Sequence, residues 1–195
     1  MPRVTALRDA RRGRVAVELD GSAWRTLPAE VVVRAGLSMG RELDRGGLRV
    51  VRRELRRSEA LDVARRALAS RDQSAARLRS RLDRHRISAA TREEALAALE
   101  RSGLVDDARF ASLRAEALAL RGYGDAAIAD DLERQGIEQS VRDEALAGLE
   151  PETERARAVV KRRGGGSRTA RYLAARGFEG EAVAAACGRA FAPDP

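Results

Sequence analysis

The chain has 195 residues, 44% of them hydrophobic, which is enough for one domain or a short row of modules. No run of 18 apolar residues occurs, so no segment reads as a membrane span, and the N-terminal Met-Pro-Arg-Val lacks the apolar core of a signal peptide. Cys187 is the only cysteine; that excludes an intramolecular disulfide and suits a reducing compartment, with the cytoplasm as the expected location.

Formal net charge is +8, and Lys161 is the only lysine among 38 basic residues. Guanidinium favours bidentate contacts to carboxylates and phosphates, although a GC-rich genome would also favour arginine. The distribution says more than the total. Residues 1–57 carry 14 basic and 7 acidic groups, and residues 58–104 carry 10 and 7. Residues 105–150 reverse the balance with 5 and 11, and residues 151–195 return to 9 and 5. An acidic middle between basic ends points to a mixed partner surface more than to a rod that coats nucleic acid. Aromatics are sparse: Trp24, Phe110, Tyr123, Tyr172, Phe178 and Phe191. That is too few for the stacking platform of a free-standing single-strand binder.

The first segment reads as β. Val15, Val17 and Leu19 alternate with other residues, Asp20-Gly21 signals a hairpin turn, and Ala23, Arg25 and Leu27 continue past it. A strand around Val4–Leu7 is placed to pair with this hairpin. A short helix follows, opened by Pro28, carried by Val31, Val32 and Ala35, and ended by Gly36. Gly40 and Gly46-Gly47 then punctuate the chain.

From about residue 48 the period becomes helical and the pattern repeats three times. Leu82, Leu132 and Leu173 each precede an apolar residue (Ile87, Ile137, Phe178) by five positions. Eleven positions before them stand Arg71, Arg121 and Arg162, and fifteen before stand Ala67, Ala117 and Ala158. Gly136 and Gly177 take the helix-terminating slot that Arg86 takes in the first copy. The offsets of 50 and 41 residues leave room for three short helices per copy, with turns in the first near Arg71–Ser74, Arg86–Ser88 and Ser102–Asp106. The expectation is a mainly α fold: three tandem three-helix repeats in an elongated curved array, with a small N-terminal β-hairpin module. The divisions fall at residues 1–47 for the hairpin and short helix, then 48–104, 105–150 and 151–195 for the repeats.

Catalytic constellations are missing from the pattern. One histidine and one cysteine cannot make a zinc site of the usual type. His85, between Arg84 and Arg86, reads as solvent-exposed, and Cys187 as a small core residue. Gly164-Gly165-Gly166-Ser167 has no preceding strand and no Gly-Lys-Ser/Thr, so it reads as a turn with Ser167 capping the next helix. Asp106-Asp107 read as carboxylates at a helix start, and Asp130-Asp131 as solvated mid-helix residues. No enzyme, metal or cofactor is expected.

One passage carries a resemblance. Gly103-Leu104-Val105-Asp106-Asp107-Ala108-Arg109-Phe110-Ala111 leads to Arg121-Gly122-Tyr123-Gly124, then to Ile128, Leu132 and Gly136-Ile137. This resembles the central signature of the RecX family, in which a Gly-Tyr-(Leu/Ile)-Asp-Asp-x-x-Phe-Ala segment leads to Arg-Gly-x-Gly and a helix ending in Gly-Ile. Leu104 stands where the family often has Tyr. Ser74, Leu78 and Leu82 are similar to the family's first repeat, and Arg171–Phe178 to the ending of the third. Leu19-Asp20-Gly21 and Leu37-Ser38-x-Gly40 are similar to a β-hairpin extension of some members. The resemblance implies tandem three-helix modules that bind the RecA recombinase and its filament on DNA. It also implies inhibition of strand exchange, ATP hydrolysis and co-protease activity, by a monomer, with single- or double-stranded DNA as a further partner and no membrane. Candidate contact residues are Arg71, Arg77, Arg81, Arg121, Arg162, Arg163 and Arg168, of which Arg71, Arg121 and Arg162 share one repeat position and Arg77 and Arg168 another. The competing reading is a basic helical DNA-binding protein that acts independently of RecA; a third is a helical-repeat adaptor for an unrelated protein.

Overall fold

Two tight reversals shape the N-terminal segment. Arg12-Gly13 and Asp20-Gly21 all have positive φ, between 49° and 78°, which matches the right-handed twist of the flanking strands. They join β1 (Val4–Ala10), β2 (Arg14–Leu19) and β3 (Ser22–Pro28) into an antiparallel sheet ordered β1-β2-β3. The expected hairpin and the strand expected to pair with it thus form a three-stranded meander, and the turn at Arg12-Gly13 that joins them lacks an obvious Asn-Gly or Asp-Gly signal. Val4, Val17 and Leu27 are buried and meet Val31 and Val32 of α1 (Ala29–Arg34) in one small core.

A computed structural model describes residues 1–188; Phe191 lies outside them. Beyond the sheet come α2 (Arg45–Leu68), α3 (Ala75–Arg84), α4 (Ala89–Arg101), α5 (Asp107–Leu120) and α6 (Asp125–Arg134). Then follow α7 (Gln139–Ala147), α8 (Glu152–Arg163), α9 (Ser167–Ala175) and α10 (Gly180–Cys187). The protein is mainly α with one small sheet, as its periodicity predicts. Its packing divides it into two units. The first holds Met1–Arg71 and Leu78–Leu104; the second holds Asp72–Arg77 and the chain from Val105 onward.

In the first unit α2 starts three residues before the expected boundary. The Asp44 carboxylate accepts the Gly47 N–H at 2.6 Å, so Gly46-Gly47 fall inside the first helical turn. The 24-residue helix buries Val51, Ala60, Leu61, Ala64 and Ala67 and packs on α4. Ser58 donates to Glu30 at 2.6 Å and ties α2 to α1. In the second unit α5, α6 and α7 enclose Ala111, Ala115, Ile128, Leu132, Ile137 and Ala145. Likewise α8, α9 and α10 enclose Ala156, Val159, Ala170, Leu173, Phe178 and Val183. Fully buried alanines where the helices touch let these short elements approach closely, so small side chains serve where a larger domain would use Leu or Phe.

Candidate partner-binding face

The second unit is joined internally by an interaction that occurs twice. Asp107, the first residue of α5, accepts the N–H of Ala75, the first residue of α3, at 2.8 Å. Glu152, the first residue of α8, accepts the N–H of Asp125, the first residue of α6, at 2.6 Å. Each carboxylate supplies an acceptor to an orphan donor of another helix. Asp106 caps its own helix through the Arg109 N–H at 2.9 Å, so the Asp106-Asp107 pair serves two helices instead of one.

The same places carry glycines. The Gly124 N–H donates to the Arg176 carbonyl at 2.9 Å and the Ala126 N–H to the Gly177 carbonyl at 3.2 Å. A Cβ on Gly124 would strike the Gly177 carbonyl and the Phe178 nitrogen, and one on Gly177 would lie 2.5 Å from Ala127 Cβ. Gly136 and Gly177, at φ +77° and +80°, end α6 and α9 in the left-handed conformation, as Arg86 does after α3 at φ +57°. Gly136 also meets Ala76, where a Cβ would collide with the alanine methyl.

These junctions bring two tyrosines and three arginines together. The Arg176 guanidinium lies 4.6 Å from the ring centre of Tyr123 and 5.2 Å from that of Tyr172. Arg163 stacks on Tyr172 at 3.9 Å, and Arg121 lies 5.8 Å from Tyr123. The result is a ladder of alternating cation and ring: Arg121, Tyr123, Arg176, Tyr172, Arg163. Arg121 and Arg163 are exposed, and among the described residues none of the three arginines forms an ion pair. Cation–π contact orients such guanidiniums while leaving N–H donors for carboxylate or phosphate.

Arg155 supports the ladder from beneath. It is 7% exposed, and it donates to the Glu150 carbonyl at 2.9 Å, to the Tyr123 carbonyl at 3.0 Å and to Asp125. Its guanidinium lies over Phe178 at 5.9 Å. Nearby, a cleft of about 620 Å³ is walled by Leu120, Leu149, Val159 and Phe178, with Lys161 and Arg162 on its lining and Leu120 84% exposed.

The predicted contact residues therefore separate. Arg121 and Arg163 join the ladder, Arg162 lines the cleft, and Arg168 is exposed on the first turn of α9. Arg77 is committed internally, donating to the Arg134 carbonyl at 2.9 Å and to the Gln135 side chain at 3.1 Å. Arg71, exposed after α2, and Arg81, half-buried on α3, belong to the first unit. Sequence reading missed Tyr123, Tyr172, Arg176 and Arg155, since nothing in the repeat spacing shows that two helix ends stack their side chains. Asp131 also departs from expectation: with 18% of its side chain exposed it pairs bidentately with Arg114, and that guanidinium holds its carboxyl below the usual range. Gly166, not Ser167, occupies the cap position of α9, and the local bond is Thr169 Oγ1 to the Gly164 carbonyl at 2.8 Å. Cys187 is half-buried against the α8–α10 core, where burial pushes its thiol pKa up. Among the described residues no group of acids, histidines and cysteines is placed to hold a metal, and no helix is long and apolar enough to cross a membrane.

Small antiparallel sheet, tandem three-helix sets and glycine junctions define a class of modular helical proteins. Residues 106–146 match the family model described as RecX, second three-helix domain. That segment is similar to the second domain of the RecX family. The fold agrees. A crystal structure of regulatory protein RecX superposes with a TM-score of 0.80 at 20% identity, covering 93% of this chain and 97% of that one. RecX from Lactobacillus salivarius gives a TM-score of 0.59 at 16% identity over 66% of this chain and 92% of that one. No curated protein matches the chain in sequence.

Proposed function

We propose that this chain is a RecX-family protein, a non-catalytic, cytoplasmic, monomeric regulator that binds the RecA recombinase filament on DNA. Its binding restrains recombination, ATP hydrolysis and co-protease activity. The observation that carries this reading is the family match over residues 106–146, which contains both the Asp106-Asp107 junction and the Arg121–Gly124 end of the ladder. Exposed arginines held by tyrosines suit a carboxylate-bearing protein surface, where charge-assisted bonds give register and specificity. The division into modules at 1–47, 48–104, 105–150 and 151–195 belongs to the same proposal. So does a contact set of Arg71, Arg81, Arg121, Arg162, Arg163 and Arg168, with Arg77 kept for internal support.

The test is single-stranded-DNA-dependent ATP hydrolysis by the host RecA with this protein titrated in. Inhibition well below one protein per recombinase protomer supports the proposal. Arg121→Ala combined with Arg163→Ala should raise the concentration needed at least tenfold, since two charge-assisted bonds are removed. Absence of inhibition by the unaltered protein, with binding to naked DNA intact, favours the RecA-independent DNA-binding reading. Unchanged inhibition by the double variant removes the ladder from the interface.

A further inference from the structure

The first unit carries a second cationic feature, independent of the recombinase reading. On α2, Arg45, Arg49, Arg52 and Arg56 follow one another at spacings of four, three and four residues, which places them on one helical face. Eleven residues of helix rise make this stripe about 16 Å long. All four are exposed, and among the described residues none has an ion-pair partner, whereas Arg53, Arg57 and Arg65 on other faces pair with Glu54 or Asp62. The fold has neutralised the flanks of α2 and left one face bare.

That face ends at a cavity. A polar pocket of about 390 Å³ lies where Arg52 and Arg56 meet Arg25 of β3 and the His85–Ser88 turn that leads into α4. Arg86, held at φ +57° after α3, adds a fourth guanidinium to its lining. Arg25 and Arg86 also have no ion-pair partner among the described residues, and Glu59 is the single carboxylate on the lining. Bringing four guanidiniums together opposes folding electrostatically unless an anion binds there. Arginine in such a cluster matches phosphate oxygens bidentately.

We propose that the arginine stripe of α2 and the pocket at its end form a site for the sugar–phosphate backbone of nucleic acid. The stripe spans several successive phosphates, and the pocket grips one of them with Arg25, Arg52, Arg56 and Arg86. Its walls carry no Phe, Tyr or Trp to stack on a base and no Asn or Gln; with its guanidiniums on phosphate oxygens, the site leaves base sequence unread. Binding is therefore steep in salt and indifferent to sequence.

The test uses the full chain and a labelled duplex oligonucleotide, with no recombinase present, so it does not depend on the filament reading. Fluorescence anisotropy across roughly 50 to 200 mM salt gives the slope of log affinity against log salt. Arg25→Gln, Arg52→Gln and Arg56→Gln together should weaken binding at least tenfold and reduce that slope by about 2.7, at about 0.9 for each phosphate that is no longer neutralised. A control variant, Arg11→Gln, Arg12→Gln and Arg101→Gln, removes the same charge from other exposed positions of the unit and should shift the slope by less than one. Glu59→Gln should tighten binding several-fold. Thermal melts check that each variant is folded, which exposed positions permit. The proposal is overturned if the site variant binds like the unaltered protein, or if the control is weakened as much. It is also overturned if inorganic pyrophosphate displaces the duplex as effectively as unlabelled duplex does, because the pocket is then a small-anion site.

Discussion

The Asp107 carboxylate caps α3, a helix that starts 32 residues earlier in the chain, by accepting the Ala75 N–H at 2.8 Å, and Glu152 treats Asp125 of α6 in the same way. Both acids open the first helix of a set, and both caps fall on the second helix of the set before it. Helix starts have orphan N–H groups that water would otherwise satisfy, so a carboxylate offered by a later helix couples local helix formation to tertiary assembly. Asp107→Ala should therefore destabilise the second unit by about 1 kcal/mol, the usual cost of removing a helix cap. Asp106→Ala should cost a similar amount by uncapping α5. Urea denaturation followed by circular dichroism measures both. A neutral Asp107→Ala would mean the bond contributes nothing over solvent.

Gly124 and Gly177 show where a repeat needs the absence of a side chain. Gly124 has φ −84°, a value any residue adopts, so its requirement is spatial: a Cβ has backbone of residues 177 and 178 in its way. Gly124→Ala should lower stability by about 1–3 kcal/mol, the range for overpacking where backbone must shift. Gly165→Ala, which meets nothing within 4 Å and lacks positive φ, should be neutral or slightly stabilising. Paired melting curves of the two variants separate packing from general glycine flexibility.

Much of this architecture was legible in the residues. Period and spacing located the three helix sets because buried positions such as Leu82, Leu132 and Leu173 must recur at matching offsets when similar units pack. Gly136 and Gly177 announced helix ends for a backbone reason that acts locally. The Arg12-Gly13 turn escaped because arginine does not advertise positive φ. The ladder escaped for a different reason: Tyr123 and Arg176 lie 53 positions apart and meet only because Gly124 permits close approach to Gly177. Arg155 reads as one more surface cation in α8, and only its three acceptors and the Phe178 ring reveal a buried one.

Burial makes Arg155 the most consequential single cation of the second unit. Replacing it with Leu leaves Asp125 without its partner and the Glu150 and Tyr123 carbonyls without a donor. The expected destabilisation is about 3–5 kcal/mol, as for breaking one side of a buried ion pair. Arg157→Leu, on an exposed pair with Glu154 in the same helix, should change stability by less than about 1 kcal/mol. Equal effects in the two variants would refute the distinction.

Two carboxyls give the second unit opposite pH responses. Asp131 is held below its ordinary range by the Arg114 hydrogen bond, so its ionised form is favoured by folding. The stabilisation it gives is complete above the unfolded value near 3.8 and is lost as pH falls through the lower folded value. Glu152 is raised, chiefly because burial disfavours its charge, which outweighs the N–H bonds from Asp125 and Glu179. Folding favours its protonated form, so stability falls as pH rises from about 4.5 through the raised folded value. Asp131→Asn should flatten the acid limb of a stability–pH curve. Glu152→Gln should remove the decline above pH 4.5, while its amide oxygen still accepts one of the two N–H groups. Denaturant midpoints taken across that range decide both; a Glu152→Gln curve that keeps the decline would assign it to other groups.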